Sequence, residues 1–255
     1  MTSLETLLHE YSNFSLPTQL RLGAPFGMTT LCFQNFYSEL FPERDTPVDF
    51  HVVCFSGEGE QLGGTVLRVE TGEAVQYTPD AASQRGTGLI AAAAIPAFDL
   101  AGYSAGKLKI RSEIGTGFYV IWDDGSGHLD TMHEWMAVTR GPLPPARHYF
   151  VFDSARSRLE RFGLALVNPI IGSGCESQAT VSIFNSARRP LGSATLEPVS
   201  SMGARLVFFD AVFPELGSWF ATHGPLGVEV SGANLAEPLT IEIHRSGDVH
   251  IHHIN

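Results

Sequence analysis

Residues Gly117–Trp135 read GFYVIWDDGSGHLDTMHEW, and this stretch decides the fold. Phe118–Trp122 is a run of aromatic and β-branched side chains, which suit a pleated, half-buried surface. Asp123–Gly127 is a cluster of turn formers, and an alternating run from His128 to Trp135 follows it. Run, turn and run predict a β-hairpin. The last residues, PLTIEIHRSGDVHIHHIN, carry the same pattern 120 positions later. Ile121 falls on Ile241, Gly127 on Gly247, Leu129 on Val249 and His133 on His253.

Outward from this hairpin, short apolar runs alternate with turn clusters. They include Gln19–Leu22, Thr30–Phe33, Val48–Phe55, Thr65–Val69, Ala74–Tyr77, Gly88–Ile95 and Lys107–Ile110. Such spacing predicts an antiparallel sandwich or barrel, and no βαβ alternation is visible. Residues 2–12 differ: Thr2 and Glu5 have capping-box spacing, and Leu4, Leu7, Leu8 and Tyr11 recur at helical intervals. They predict a short amphipathic helix packed over a sheet edge.

The Pro-rich joint Gly141-Pro142-Leu143-Pro144-Pro145 makes a domain boundary, because proline stiffens the chain and cannot donate to a ladder. Beyond it the pattern restarts. Tyr149–Asp153 takes the place of Gln19–Leu22, and Leu164–Asn168 repeats the layout of Leu31–Asn35. The segment beginning at Phe184 lies over that beginning at Phe55, Gly203-ARLVF over Gly72-EAVQY, and Val228 and Val230 over Leu108 and Ile110. On this alignment Asp80–Ala105 is an insertion in the first copy. The fold class is therefore all-β: two tandem antiparallel, jelly-roll-like β-sandwich repeats, residues 17–140 and 141–255, after an N-terminal helix within 1–16.

Composition limits the function. The chain has 255 residues, is 44% hydrophobic and 17% charged, and so can bury a core without extended disorder. A formal net charge of −11 argues against nucleic-acid and anionic-membrane surfaces, whose affinity comes mainly from Lys and Arg. No apolar run is long enough to span a bilayer, and the start, MTSLETLLHEYSNF, does not read as a signal peptide. Cys32, Cys54 and Cys175 form no CxxC pair and leave an odd thiol, as in a reduced, cytoplasmic protein.

The second copy carries GLALVNP, SIFNSARRPLGSATLEP, GARLVFFDAVFPEL and a closing hairpin. In these segments it resembles a bacterial β-sandwich module similar to the sensory rhodopsin transducer family. The resemblance covers roughly the last hundred residues. It implies a small soluble sandwich that binds something and often oligomerises; it does not imply catalysis.

Several motifs bear on chemistry. Gly102-Tyr-Ser104-Ala-Gly106 matches a nucleophile elbow, but the following KLKIRSEIG has a strand pattern where the elbow needs a helix. Gly57–Gly64 is Gly-rich but acidic and lies between two strands, which predicts a hairpin loop and no phosphate cradle. Asp123–Gly127 lacks the spaced oxygens and terminal glutamate of a calcium loop. The histidines are the best metal candidates. On a strand alternate residues share a face, so His128 and Asp130 lie together, as do His250 and His252. With His133 and His253 they could hold a divalent transition metal, as neutral imidazoles and a carboxylate suit one, although no HExxH is present. Trp122, Glu134 and Trp135 are the candidate ligand-pocket residues. The expectation is a non-catalytic cytoplasmic binding protein, with a small molecule or protein partner at the junction of the repeats and a homo-oligomer among its assemblies. The alternative is a metal-dependent enzyme using both hairpins, with Glu134 or Asp130 as general base.

Overall fold

The computed structural model describes residues 17–98, 118–127, 129–133, 136–172 and 174–254. The expected N-terminal helix, the Ser104 motif and the run Lys107–Ile110 lie outside the described residues. The chain divides into two compact units, and the main division falls between Val138 and Thr139. This is just ahead of the Pro-rich joint. Segments 57–59 and 124–130 belong with the second unit.

The first unit contains β1 (Pro17–Arg21), β2 (Met28–Gln34), a one-turn helix α1 (Tyr37–Leu40), β3 (Val48–Ser56), β4 (Gln61–Val69), β5 (Ala74–Tyr77), β6 (Gly88–Pro96), β7 (Phe118–Asp123), β8 (Leu129–His133) and β9 (Met136–Ala137). Its strands form two sheets, ordered β4-β3-β6-β1-β9 and β5-β2-β7-β8, and every paired register is antiparallel. Alternating residues of both sheets meet in the middle. Phe33 stacks on Phe118 of its own sheet with centroids 5.4 Å apart and meets Phe50 of the other sheet at a tilt, 4.7 Å away. Burying such side chains stabilises by roughly 1.5–3 kcal/mol each.

The second unit contains β10 (Ala146–Phe152), β11 (Arg161–Val167), β12 (Gln178–Phe184), β13 (Pro190–Thr195), β14 (Ala204–Phe208), helices α2 (Phe209–Val212) and α3 (Leu216–His223), β15 (Leu226–Ala233), β16 (Leu239–Ile243) and β17 (Val249–His253). Its sheets run β13-β12-β15-β10 and β14-β11-β16-β17. Writing β10 for β1, β11 for β2 and so on to β17 for β8 reproduces the first unit's order, with β9 left over. Even the irregularity repeats: a register shift falls between Cys54 and Phe55 and again between Ile183 and Phe184. Phe150 and Phe152 of one sheet pack on Phe162 of the other, with centroids 5.8 and 5.6 Å apart.

Two alignments made from sequence are corrected. The counterpart of β15 is Gly88–Pro96, because β6 lies between β1 and β3 just as β15 lies between β10 and β12. Leu108 and Ile110 therefore do not match Val228 and Val230, and Asp80–Ala105 is not one insertion. The Ala-rich β6 is buried along nearly its whole length, so it lacks the alternation that would have marked its register. The second correction is one residue. Gln34 pairs with Ala74 and Val167 with Ala204, so Ala74 corresponds to Ala204 and not to Arg205. Helix α3 was also missed, although Leu216, Trp219 and Phe220 recur at helical spacing and Gly224 follows at φ 71°. Trp219 packs so close to β13 that a Cβ at Gly192 would stand 2.6 Å from its ring.

Each unit is clamped at one end by a buried asparagine. Asn35 follows β2; its amide donates to Thr46 O at 2.7 Å and Glu70 O at 3.0 Å, and its Oδ1 accepts from Tyr37 N at 3.1 Å. Asn168 follows β11; its amide donates to Cys175 O at 2.6 Å and Val199 O at 3.0 Å, and its Oδ1 accepts from Ile170 N at 3.1 Å. Replacing Asn168 with alanine strands those groups in a dry interior and should destabilise the second unit by about 3 kcal/mol. Asn168→Asp should cost at least as much, because it points oxygen at two carbonyls. Hydrogen exchange of the β11 and β16 amides measures both.

The first unit has a polar interior where the second is aromatic. Gln19 and Arg21 of β1 take the places of Phe150 and Phe152 of β10, and both are buried. Arg21 donates to Gly86 O at 2.9 Å, Phe55 O at 3.0 Å and Arg85 O at 3.2 Å, pinning the 80–87 loop. Gly88 makes room, since a Cβ there would strike Phe55 O and the guanidinium. Burial pushes the nearby Cys54 thiol up to about 11, and the Arg21 charge holds it back only in part. The folded state then keeps a proton that the unfolded thiol loses near 9. Stability should fall as pH rises from about 9 to about 11. Cys54→Val should flatten that slope in urea titrations, and Cys175, the least buried thiol, should react first with alkylating reagents.

Candidate functional site

The second sandwich is open along one side, where the edge strands β13 and β14 belong to different sheets. There lies a groove of about 410 Å³. The end of β13, the edge strand β14 and the turn into α2 give it apolar walls from Leu196, Leu206, Val207 and Val212. Arg161 and Arg205 also line it. Arg161 opens β11, lies 3.8 Å over the Phe208 ring, and donates to both carboxylate oxygens of Asp210 at 3.3 and 3.4 Å. Arg205 donates to Glu197. The acids are the more exposed partners: side-chain exposure is 81% for Glu197 against 28% for Arg205, and 58% for Asp210 against 39% for Arg161. Exposed pairs are weak, so a better-placed anion can displace these carboxylates without moving the guanidiniums. The lining has no thiol, imidazole or ammonium; Thr195 is its only hydroxyl, and its one carboxylate, Glu197, is paired. Such a set can hold an apolar body with an acidic group.

The predicted histidine hairpin forms as β16–β17. Its turn is closed by His244 N donating to Asp248 O and Gly247 N to His244 O, each at 2.8 Å, with Gly247 at φ 97°. His250 and His252 share a face with rings parallel and 6.0 Å apart, and His244 meets His250 edge-on at 4.9 Å. Glu242, directly across from His250, pairs with Arg156 at 3.1 Å. The Arg156 guanidinium lies over the rings of Phe162 and Phe150. His253 pairs across from Leu239. Among the described residues no group of three His, Cys, Asp or Glu side chains is placed to hold a metal ion.

The hairpin of the first unit differs in its side chains. By position, Asp130 and Met132 stand where the second unit has His250 and His252. Asp130, in the 124–130 segment that groups with the second unit, accepts a hydrogen bond from Ile251 N at 2.7 Å. His133 ends β8, and its carbonyl accepts from the Gln19 amide. Trp122 is buried in the core, with its indole N–H donating to Leu20 O at 3.2 Å. His128, Glu134 and Trp135 lie outside the described residues. Sequence reasoning missed Arg161 and Arg205. The available signal was an arginine in each of two otherwise apolar strands, RFGLALV and ARLVF.

No family model and no curated protein matches this chain. One similar solved structure is the M60 catalytic domain with the CBM51-1 and CBM51-2 domains from Clostridium perfringens ZmpB: 10% identity, TM-score 0.22, 86% of this chain and 33% of that one. Another is trypsin-activated alpha-2-macroglobulin from Escherichia coli: 12% identity, TM-score 0.22, 95% of this chain and 16% of that one. Neither is a sensory rhodopsin transducer, and at these scores neither bears on function. Among the described residues no helix is long and apolar enough to cross a membrane.

The Arg156–Glu242 pair closes the hairpin side of the second unit. Glu242→Gln should cost about 1 kcal/mol at low salt and less in molar salt, read from urea midpoints at both ionic strengths.

Proposed function

We propose that this chain is a non-catalytic binding protein whose second sandwich takes a small apolar anion in the groove between β13 and β14. One observation carries the reading: apolar walls and two guanidiniums line the same concavity, with no unpaired acid, base or nucleophile among them. The volume falls within the usual range of small-molecule sites. Free Cys32, Cys54 and Cys175 support a reducing, cytoplasmic setting.

Anilinonaphthalene sulfonate, an apolar anion, is a suitable probe. Its fluorescence should rise saturably with one site per chain. Val212→Trp, which fills the groove, should abolish the signal, and Arg205→Gln should weaken binding about tenfold, the loss of one charge-assisted hydrogen bond. Unchanged binding in Val212→Trp, with the fold intact by circular dichroism, would place the probe elsewhere and end this reading.

A further inference from the structure

We infer that the groove between β13 and β14 takes a linear dicarboxylate: an apolar chain with one carboxylate on Arg161 and the other on Arg205. This inference rests on the anion reading of the groove and adds the class of ligand.

The two guanidiniums stand at opposite ends of the groove. Leu166 of β11 lies opposite Arg205 of β14, and Gly163 lies opposite Phe208. Arg161 continues in the same direction along β11, and its guanidinium lies over the Phe208 ring. Arg205 and Phe208 sit on one extended strand, so about 10 Å of backbone separates the places that mark the two ends. All four residues Arg205–Phe208 line the groove. Successive side chains leave a strand on opposite sides, so the groove runs along the open edge of β14 and meets both of its faces.

Each end already holds carboxylates. Asp210 accepts from Arg161 with both oxygens, at 3.3 and 3.4 Å. Glu197 accepts from Arg205 Nη1, and Glu58, of the 57–59 segment that groups with the second unit, stands 3.6 Å from Arg205 Nη2. These acids show where ligand carboxylates fit. All three are more exposed than the arginines they meet, and exposed pairs of this kind gain little, so they can turn to water when a ligand arrives. Between the ends the lining carries no charge, and Leu196, Leu206, Val207 and Val212 offer it apolar surface.

This pattern separates diacids from monoacids. A monocarboxylate takes one guanidinium and leaves the other on its surface acid. A dicarboxylate takes both, and its second contact is intramolecular once the first has formed. A short diacid reaches one end only. Decanedioate, an extended zigzag of carbon–carbon bonds about 1.5 Å long, spans about the required length.

Displacement of anilinonaphthalene sulfonate from the full chain tests the inference, with decanedioate, decanoate and butanedioate as competitors. Decanedioate should displace the probe with an inhibition constant at least about tenfold below those of decanoate and butanedioate. Arg161→Gln should raise the decanedioate constant to the decanoate level and change the decanoate constant by less than about threefold, because Arg205 remains for a single carboxylate. Circular dichroism of this variant should match the wild type. A probe that Val212→Trp expels, together with equal constants for decanedioate and decanoate, overturns the dicarboxylate and leaves the single-anion reading standing. Decanedioate binding that is unchanged in Arg161→Gln, or matched by butanedioate, overturns it as well. A probe that never binds in the groove ends both readings.

Discussion

The amide of an asparagine just past the second strand of each unit joins the two sheets of that unit. The backbone must leave β2 or β11 at that point, and its turn exposes carbonyls and an N–H that no ladder can satisfy. Asn35 reaches Val69 O at the end of β4, and Asn168 reaches the corresponding Val199 O. Each asparagine also uses its own backbone N–H, toward Glu73 O or Gly203 O, to anchor the strand that follows. Buried polar groups of this kind must be paired, and one side chain with two donors and an acceptor pairs several together. The clamp fixes which ends of the sheets face each other, and the phenylalanines between them pack within that limit.

Under this shared frame the two interiors have diverged. The second unit fills the space beneath its first strand with Phe150 and Phe152. The first unit places Gln19 and Arg21 there, and the guanidinium gathers the carbonyls of a loop that the second unit lacks. A buried arginine held by backbone carbonyls alone gives up hydration without gaining a carboxylate. It is tolerated because one planar fork meets three acceptors in different directions. The same exchange separates the hairpins: Trp122 is core in the first unit, while the corresponding Glu242 pairs with Arg156 in the second. The second unit carries the groove and the row of imidazoles.

Much of this was legible in the sequence. Strand periodicity and turn clusters established an all-β chain in two sandwiches. The recurrence of Asn35 and Asn168, of the turns after Phe55 and Phe184, and of the two hairpins marked equivalent places. The pairing of His250 with His252 followed from the period of a strand alone, because alternate side chains share a face whatever surrounds them. Only the tertiary structure decided what has no period. β6 is buried along nearly its whole length, so its register came from its neighbours β1 and β3. Arg161 and Arg205 lie far apart in sequence and meet in one groove because β11 and β14 pair. The imidazole row also gained His244 through the turn, where the hairpin brings strand ends together. Local chemistry specifies strands and turns, whereas a site depends on which edges remain open, and that is settled when the sheets close on each other.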